Sequence, residues 1–140
     1  MTTDIKTRIN IRKAETNDLN KVSTFITPFI DDGKLLPRTF EELEDLLNHL
    51  YIAELDDKII GCAALEIYSK KLAEVRSLAV SPLVQGLGVG KMLVTECVKQ
   101  AKEAEVLEVM AITSSEAFFK ACGFDFTLPG EKKALFFQTK

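Results

Sequence analysis

Residues 85–91 read QGLGVGK, and an apolar run, EVRSLAV (residues 74–80), leads towards them. Gly86, Gly88 and Gly90 stand two apart, and the stretch ends in Lys91. Glycines let a backbone approach an anion closely. A strand-to-helix turn adds the unused N–H groups and the positive dipole end of the helix. That combination is suited to binding phosphate. Two familiar phosphate loops fail on spacing. G-x-G-x-x-G would put its last glycine at Lys91, and G-x-x-x-x-G-K-[ST] would need glycine at Gln85 and Ser or Thr at Met92. What remains is Q-x-x-G-x-G, carried by Gln85, Gly88 and Gly90. Taken alone, the loop reads equally well as a glycine-rich turn without a ligand.

The other reactive side chains narrow the field. Cys62, Cys97 and Cys122 lie far apart and form no C-x-x-C pair, which argues against a metal site. Their odd number, and the lack of an apolar signal core in MTTDIKTRIN, fit reduced, buried thiols in a cytoplasmic protein. A nucleophilic cysteine would want a histidine, and His49, the one histidine, falls on an expected helix beside Asn48 and Leu50. The net charge is -3 and the isoelectric point about 5.3, and no basic block stands out. This argues against nucleic acid or an anionic membrane as partner. No apolar run is long enough to span a bilayer.

The 140 residues, 46% hydrophobic and 28% charged, suit one domain over 1–140 with a real core. Residues 9–12 alternate as a short strand does. Thr16, Asn17 and Asp18 offer caps for a helix carrying Leu19, Val22, Ile26, Phe29 and Ile30, which Pro28 should bend or end. Thr39 to Glu42 form a capping box opening a second helix, with Leu43, Leu46, Leu47 and Leu50 as its stripe. Strands are expected over 51–55 and 58–68 around an Asp56-Asp57 turn, then over 74–80. A helix over 88–105 has Val94, Cys97, Val98, Ala101 and Ala104 on one face. A strand over 106–112 precedes a second capping box, Thr113 to Glu116, and a short helix with Phe118 and Phe119 closed by Gly123. Strands over 124–128 and 134–138 complete the chain. The order predicts a mixed α/β domain without repeats or linkers.

The segment LAVSPLVQGLGVGKML (residues 78–93) closely resembles the cofactor motif of the GNAT family of acetyl-CoA-dependent N-acetyltransferases. The element order matches over nearly the whole chain, as does AFFKACGF (residues 117–124), which looks like a late family helix running into its next strand. The resemblance implies the GNAT fold: a mixed, mostly antiparallel central sheet with splayed parallel middle strands, flanked by helices. It implies that Gln85, Gly86, Leu87, Gly88, Val89, Gly90 and Lys91 hold the pyrophosphate of acetyl-CoA, the co-substrate, and that no metal is needed. The pantetheine arm would lie between the strands over 74–80 and 106–112 and pair with backbone at Leu78, Ala79 and Val80. The Leu78 amide would polarise the thioester carbonyl.

Transfer needs a neutral amine, and alkyl amines, with pKa values of roughly 8 to 10.4, are mostly protonated at neutral pH. Glu74, at the head of the strand presenting the thioester, is the candidate base, with Glu66 in reserve; an ordinary exposed strand carboxylate is the plain alternative. The tyrosine that many members use to protonate the leaving thiolate is replaced by Phe118-Phe119. Ser115, Thr113, Tyr68 and Cys122 are weak substitutes.

Several stretches resemble a narrower group, the acetyltransferase domain of N-acetylglutamate synthases: LLPRTFEELEDLL (35–47), IIGCAALEIY (59–68), AEVRSLAVSP (73–82) and LPGEKKALF (128–136). The resemblance assigns a substrate carboxylate to Arg38, whose planar fork pairs with carboxylate at two points. The sequence departs from that group in three ways: it lacks the amino-acid-kinase domain, has Ser114 where the group has arginine, and has Phe136-Phe137 where it has Tyr-Asn. Ser114 is therefore the substrate-side position at which glutamate recognition is in doubt, and a small amine with one carboxylate is the expected acceptor. Lys133 is a further candidate anion contact. A protein amine is the alternative acceptor. A non-catalytic acyl-CoA sensor and a ligand-free interaction module are the readings outside catalysis. GNAT-like domains often pair through their sheet ends, which implies a homodimer.

Overall fold

The computed structural model describes residues 2–126 and 135–139. Five strands form one sheet in the order β1 (Asn10–Lys13), β2 (Leu50–Leu55), β3 (Lys58–Ile67), β4 (Leu72–Val80), β5 (Glu108–Met110). The first four pair antiparallel and β5 joins β4 in parallel. The helices are α1 (Thr2–Arg8), α2 (Leu19–Asp31), α3 (Phe40–Leu46), α4 (Val89–Glu103) and α5 (Glu116–Ala121).

The sheet is covered on both faces, and strand alternation decides which side chain goes where. Tyr51, Ala53, Ala63, Leu65, Ala73 and Val75 meet α4, whose Val89, Leu93, Val94, Cys97 and Ala101 form the buried stripe. Leu50, Ile52, Cys62 and Ala64 meet α2 and α3 through Leu19, Val22, Ile26, Leu43 and Leu46. Each large side chain taken out of water contributes ~1.5–3 kcal/mol.

One irregularity governs the rest. Ala64 stands opposite Arg76, but Cys62 stands opposite Ala79, so β4 carries one extra residue at Ser77–Leu78. Ser77 adopts φ 54, a left-handed conformation unusual outside glycine. The bulge switches the alternation. Before it Ala73 and Val75 face α4; after it Leu78 and Val80 do, and Ala79 joins the opposite cluster. β4 and β5 pair only from Leu72–Glu108 to Glu74–Met110. From Val75 onward no described strand pairs with the outer edge of β4, and this gap between parallel strands matches the splay that the family resemblance implied.

Several expectations are corrected. The strand expected over 9–12 is β1, one residue later, and that over 106–112 is only the three-residue β5. α2 continues through Pro28 to Asp31, so the proline does not end the helix, although it has no N–H to bond back to Thr24 O. The Thr39–Glu42 capping box forms as expected. The Thr113–Glu116 box does not: Ser115 is the N-cap with no side-chain cap bond, and Thr113 Oγ1 instead accepts the Ser115 N–H at 2.8 Å. Residues 124–126 and 135–139 hold no strand, and the remainder of the two expected C-terminal strands lies outside the described residues. Thus β5 is the sheet edge among the described residues. α1 had no counterpart in the sequence reading.

Candidate active site

Where β4 loses its outer partner, a cleft of about 1130 Å³ opens. Its floor is β4 from Glu74 to Val80. One end is the turn into α4, and the other is the loop between α2 and α3. The volume exceeds the roughly 300–1,000 Å³ of ordinary small-ligand pockets.

The turn leaves β4 through Ser81, whose Oγ accepts the Leu83 N–H, and a short 3-10 turn over Pro82–Val84. Gly88 is the N-cap of α4 at φ 78, a conformation that strains any residue with a Cβ. The first bond inside α4 runs from Met92 N–H to Gly88 O at 3.0 Å. The amides of Gly88, Val89, Gly90 and Lys91 thus precede the helical ladder. Earlier in the turn two amides are engaged locally: Gln85 N–H donates to Pro82 O at 3.4 Å and Leu87 N–H to Val84 O at 3.3 Å. Gly90 lets α5 approach, since a Cβ there would lie 3.1 Å from the Phe118 ring. Free amides, the dipole of a long helix and exposed Lys91 suit a diphosphate. The open edge of β4 suits an extended, amide-bearing chain. The residues present fit coenzyme A.

At the head of the cleft Glu74 is buried, 7% exposed, which removes the exposed-strand alternative. Tyr68 O–H donates to Glu74 Oε1 at 2.6 Å. Glu66, directly opposite Glu74 in register, accepts Arg76 Nη1 at 2.9 Å. Partial burial, then the hydrogen bond to Glu74, raises the Tyr68 phenol above its usual range. Tyr68 points at Glu74 from outside the cleft lining.

Arg38 precedes α3 and leans on the bulge. Its side chain is only 9% exposed, so the surface alternative falls. Its Nε donates to Ser77 Oγ at 3.3 Å, and Glu42 Oε2 is 3.9 Å from Nη1, beyond hydrogen-bond distance. Glu42 is held by its capping bond with Thr39, which keeps its carboxyl below the usual range. A guanidinium carries five donors, and among the described residues no carboxylate hydrogen-bonds this one. Ser114 lines the same cleft and is exposed.

The candidate thiolate acids fare poorly. Phe118 and Phe119 stack edge to face at 5.0 Å, with Phe119 buried. The half-buried Cys122 thiol is pushed up by desolvation. Phe136 is exposed, and Lys133 lies outside the described residues. No metal-binding cluster occurs among the described residues. None of their helices is long and apolar enough to cross a membrane. Sequence reading missed Arg76, and the bulge at Ser77 that re-aims β4. The charge-bearing spacing Glu66-x-Tyr68 against Glu74-x-Arg76 was the available signal.

Comparison with known proteins agrees with this geometry. An uncharacterised N-acetyltransferase of Chlorobaculum tepidum is 32% identical over 114 residues, covering 81% of this chain and 74% of that one. An amino-acid acetyltransferase of Mycobacterium tuberculosis is 29% identical, covering 81% and 67%. The N-acetylglutamate synthase of Neisseria gonorrhoeae, solved with coenzyme A and N-acetyl-glutamate, superposes with a TM-score of 0.73 at 30% identity. The alignment covers 81% of this chain but only 27% of the synthase. Residues 16–124 match the acetyltransferase (GNAT) family, and the chain belongs to that family of acetyl-CoA-dependent acetyltransferases.

Proposed function

We propose that this protein moves acetyl from acetyl-CoA to the amine of a small molecule bearing a carboxylate, an amino acid being the simplest case. The observation that carries the carboxylate is Arg38, a nearly buried guanidinium on the cleft with one weak hydrogen bond. Glu42, standing off at 3.9 Å, compensates this cation only at a distance, and a bidentate carboxylate would pair with it directly. The amino-acid acetyltransferases among the relatives support the same reading.

Glu74 takes a proton from the bound ammonium, leaving a neutral amine. The amine nitrogen attacks the thioester carbonyl carbon; as the carbon–sulfur bond breaks, the nitrogen gives its second proton to water, leaving the amide, and coenzyme A departs as thiolate. The bulge beside Leu78 interrupts the β3–β4 ladder where the Leu78 amide would meet the developing oxyanion. The turn from Gln85 to Lys91 holds the diphosphate, chiefly through the amides from Gly88 onward, while Ala79 and Val80 contribute backbone along the arm. No side chain placed at α5 protonates the thiolate, so it departs unassisted. Ser114 does not replace a guanidinium, so a second acceptor carboxylate gains no partner there.

Thiol release from acetyl-CoA, measured against free amino acids, polyamines and short peptides, tests the proposal. Turnover confined to amino acids is expected. With Glu74→Gln, turnover should fall by roughly 10²–10⁴ while acetyl-CoA affinity stays. Absence of release with every amine, together with intact acetyl-CoA binding, would favour a sensor and overturn the small-molecule reading.

A further inference from the structure

We propose that Tyr68 is a positioning residue for Glu74, holding one carboxylate oxygen so that the other is presented to the cleft; this rests on the role of Glu74 proposed above. Glu66 and Glu74 are direct cross-strand partners. Two carboxylates so placed repel and turn away unless something fixes them. Arg76 and Tyr68 stand between them and divide the work. Arg76 Nη1 donates to Glu66 Oε1 at 2.9 Å and to the Tyr68 oxygen at 3.2 Å, and is 3.7 Å from Glu74 Oε1. With its oxygen accepting from Arg76, Tyr68 has one proton to give. Glu74 Oε1 at 2.6 Å takes it in preference to Glu66 Oε1 at 3.4 Å.

The order Glu66, Arg76, Tyr68, Glu74 gives the two carboxylates different near donors, Arg76 for Glu66 and Tyr68 for Glu74, and a donor that is itself accepting from a cation is strengthened. Both contacts to Glu74 fall on Oε1, which leaves Oε2 for the substrate ammonium. Tyr68 does not line the cleft while Glu74 does, so the phenol acts through the glutamate. The competing account is that the cluster merely offsets repulsion between two paired carboxylates.

A kinetic cycle separates these. Tyr68→Phe, which keeps the ring, Glu74→Gln and the double variant are compared by thiol release with the best amine. Tyr68→Phe should lower kcat about ten- to a hundredfold and leave the KM for acetyl-CoA unchanged. In the Glu74→Gln background the same change should alter kcat less than about twofold. Unchanged kcat in Tyr68→Phe, or an equal loss in both backgrounds, overturns the proposal. So does rescue of Tyr68→Phe by Glu66→Gln, which is the signature of simple repulsion. Full turnover in Glu74→Gln would instead overturn the base assignment itself, and the positioning role with it.

Discussion

The bulge residue shows how one side chain can serve fold and site at once. Ser77 sits at φ 54, and its Oγ accepts from Arg38 while its carbonyl accepts the Cys62 thiol at 3.3 Å. The backbone strain favours glycine, whereas the hydrogen bond favours serine. Ser77→Gly should therefore be more stable than Ser77→Ala by ~1 kcal/mol, measured by urea unfolding. Both should raise the KM for the amine several-fold by loosening Arg38. Equal stabilities would place the strain elsewhere. In EVRSLAV the bulge shows only as the adjacent polar pair Arg76-Ser77, which breaks the alternation between Val75 and Leu78 and reads as readily as an ordinary irregularity. Arg38 and Glu74 were visible as types but not as buried groups, because burial depends on α3 and β3 closing over them.

Among the elements, α4 and its entry turn were the most legible, since glycine spacing and a helical apolar stripe are local signals. Its start reads Gly88 rather than Val89 from sequence, a one-residue difference set by the left-handed cap. Gly88→Ala should cost about 1–2 kcal/mol of stability and weaken coenzyme A binding, as followed by denaturation and calorimetry. Unchanged affinity would remove the turn from the site. The stretch after α4 was least legible. β5 is three residues long, and the strands expected after it are absent from residues 124–126 and 135–139. Strand propensity alone does not secure an edge that lacks a pairing partner.

Over the whole molecule, charge ties the N-terminal strand and the start of α2 to the rest of the sheet. Arg12 makes a two-point pair with buried Asp18, at 2.8 and 2.9 Å, and reaches Glu54 on β2 at 2.8 Å. The hydrogen bond from Arg12 lowers the Asp18 carboxyl, so its stabilisation is present above the ordinary carboxylate range and lost as pH falls through the lowered value. His49 acts in a higher window. Burial lowers its pKa from 6.5, and among the described residues Nδ1 has no partner. The unfolded chain thus binds the proton first, and stability falls as pH drops below about 6.5. Urea midpoints at pH 7.5 and 5 should differ in the parent and differ less in His49→Leu; an identical shift in both would clear His49. Recognition of the acceptor amine through its carboxylate is decided by offering an amino acid and its decarboxylated amine together with acetyl-CoA, and identifying the products by mass spectrometry. The parent should favour the amino acid by at least about tenfold, and Arg38→Leu should erase the preference. Equal acetylation of both by the parent, or no acetylated product at all, would contradict the account.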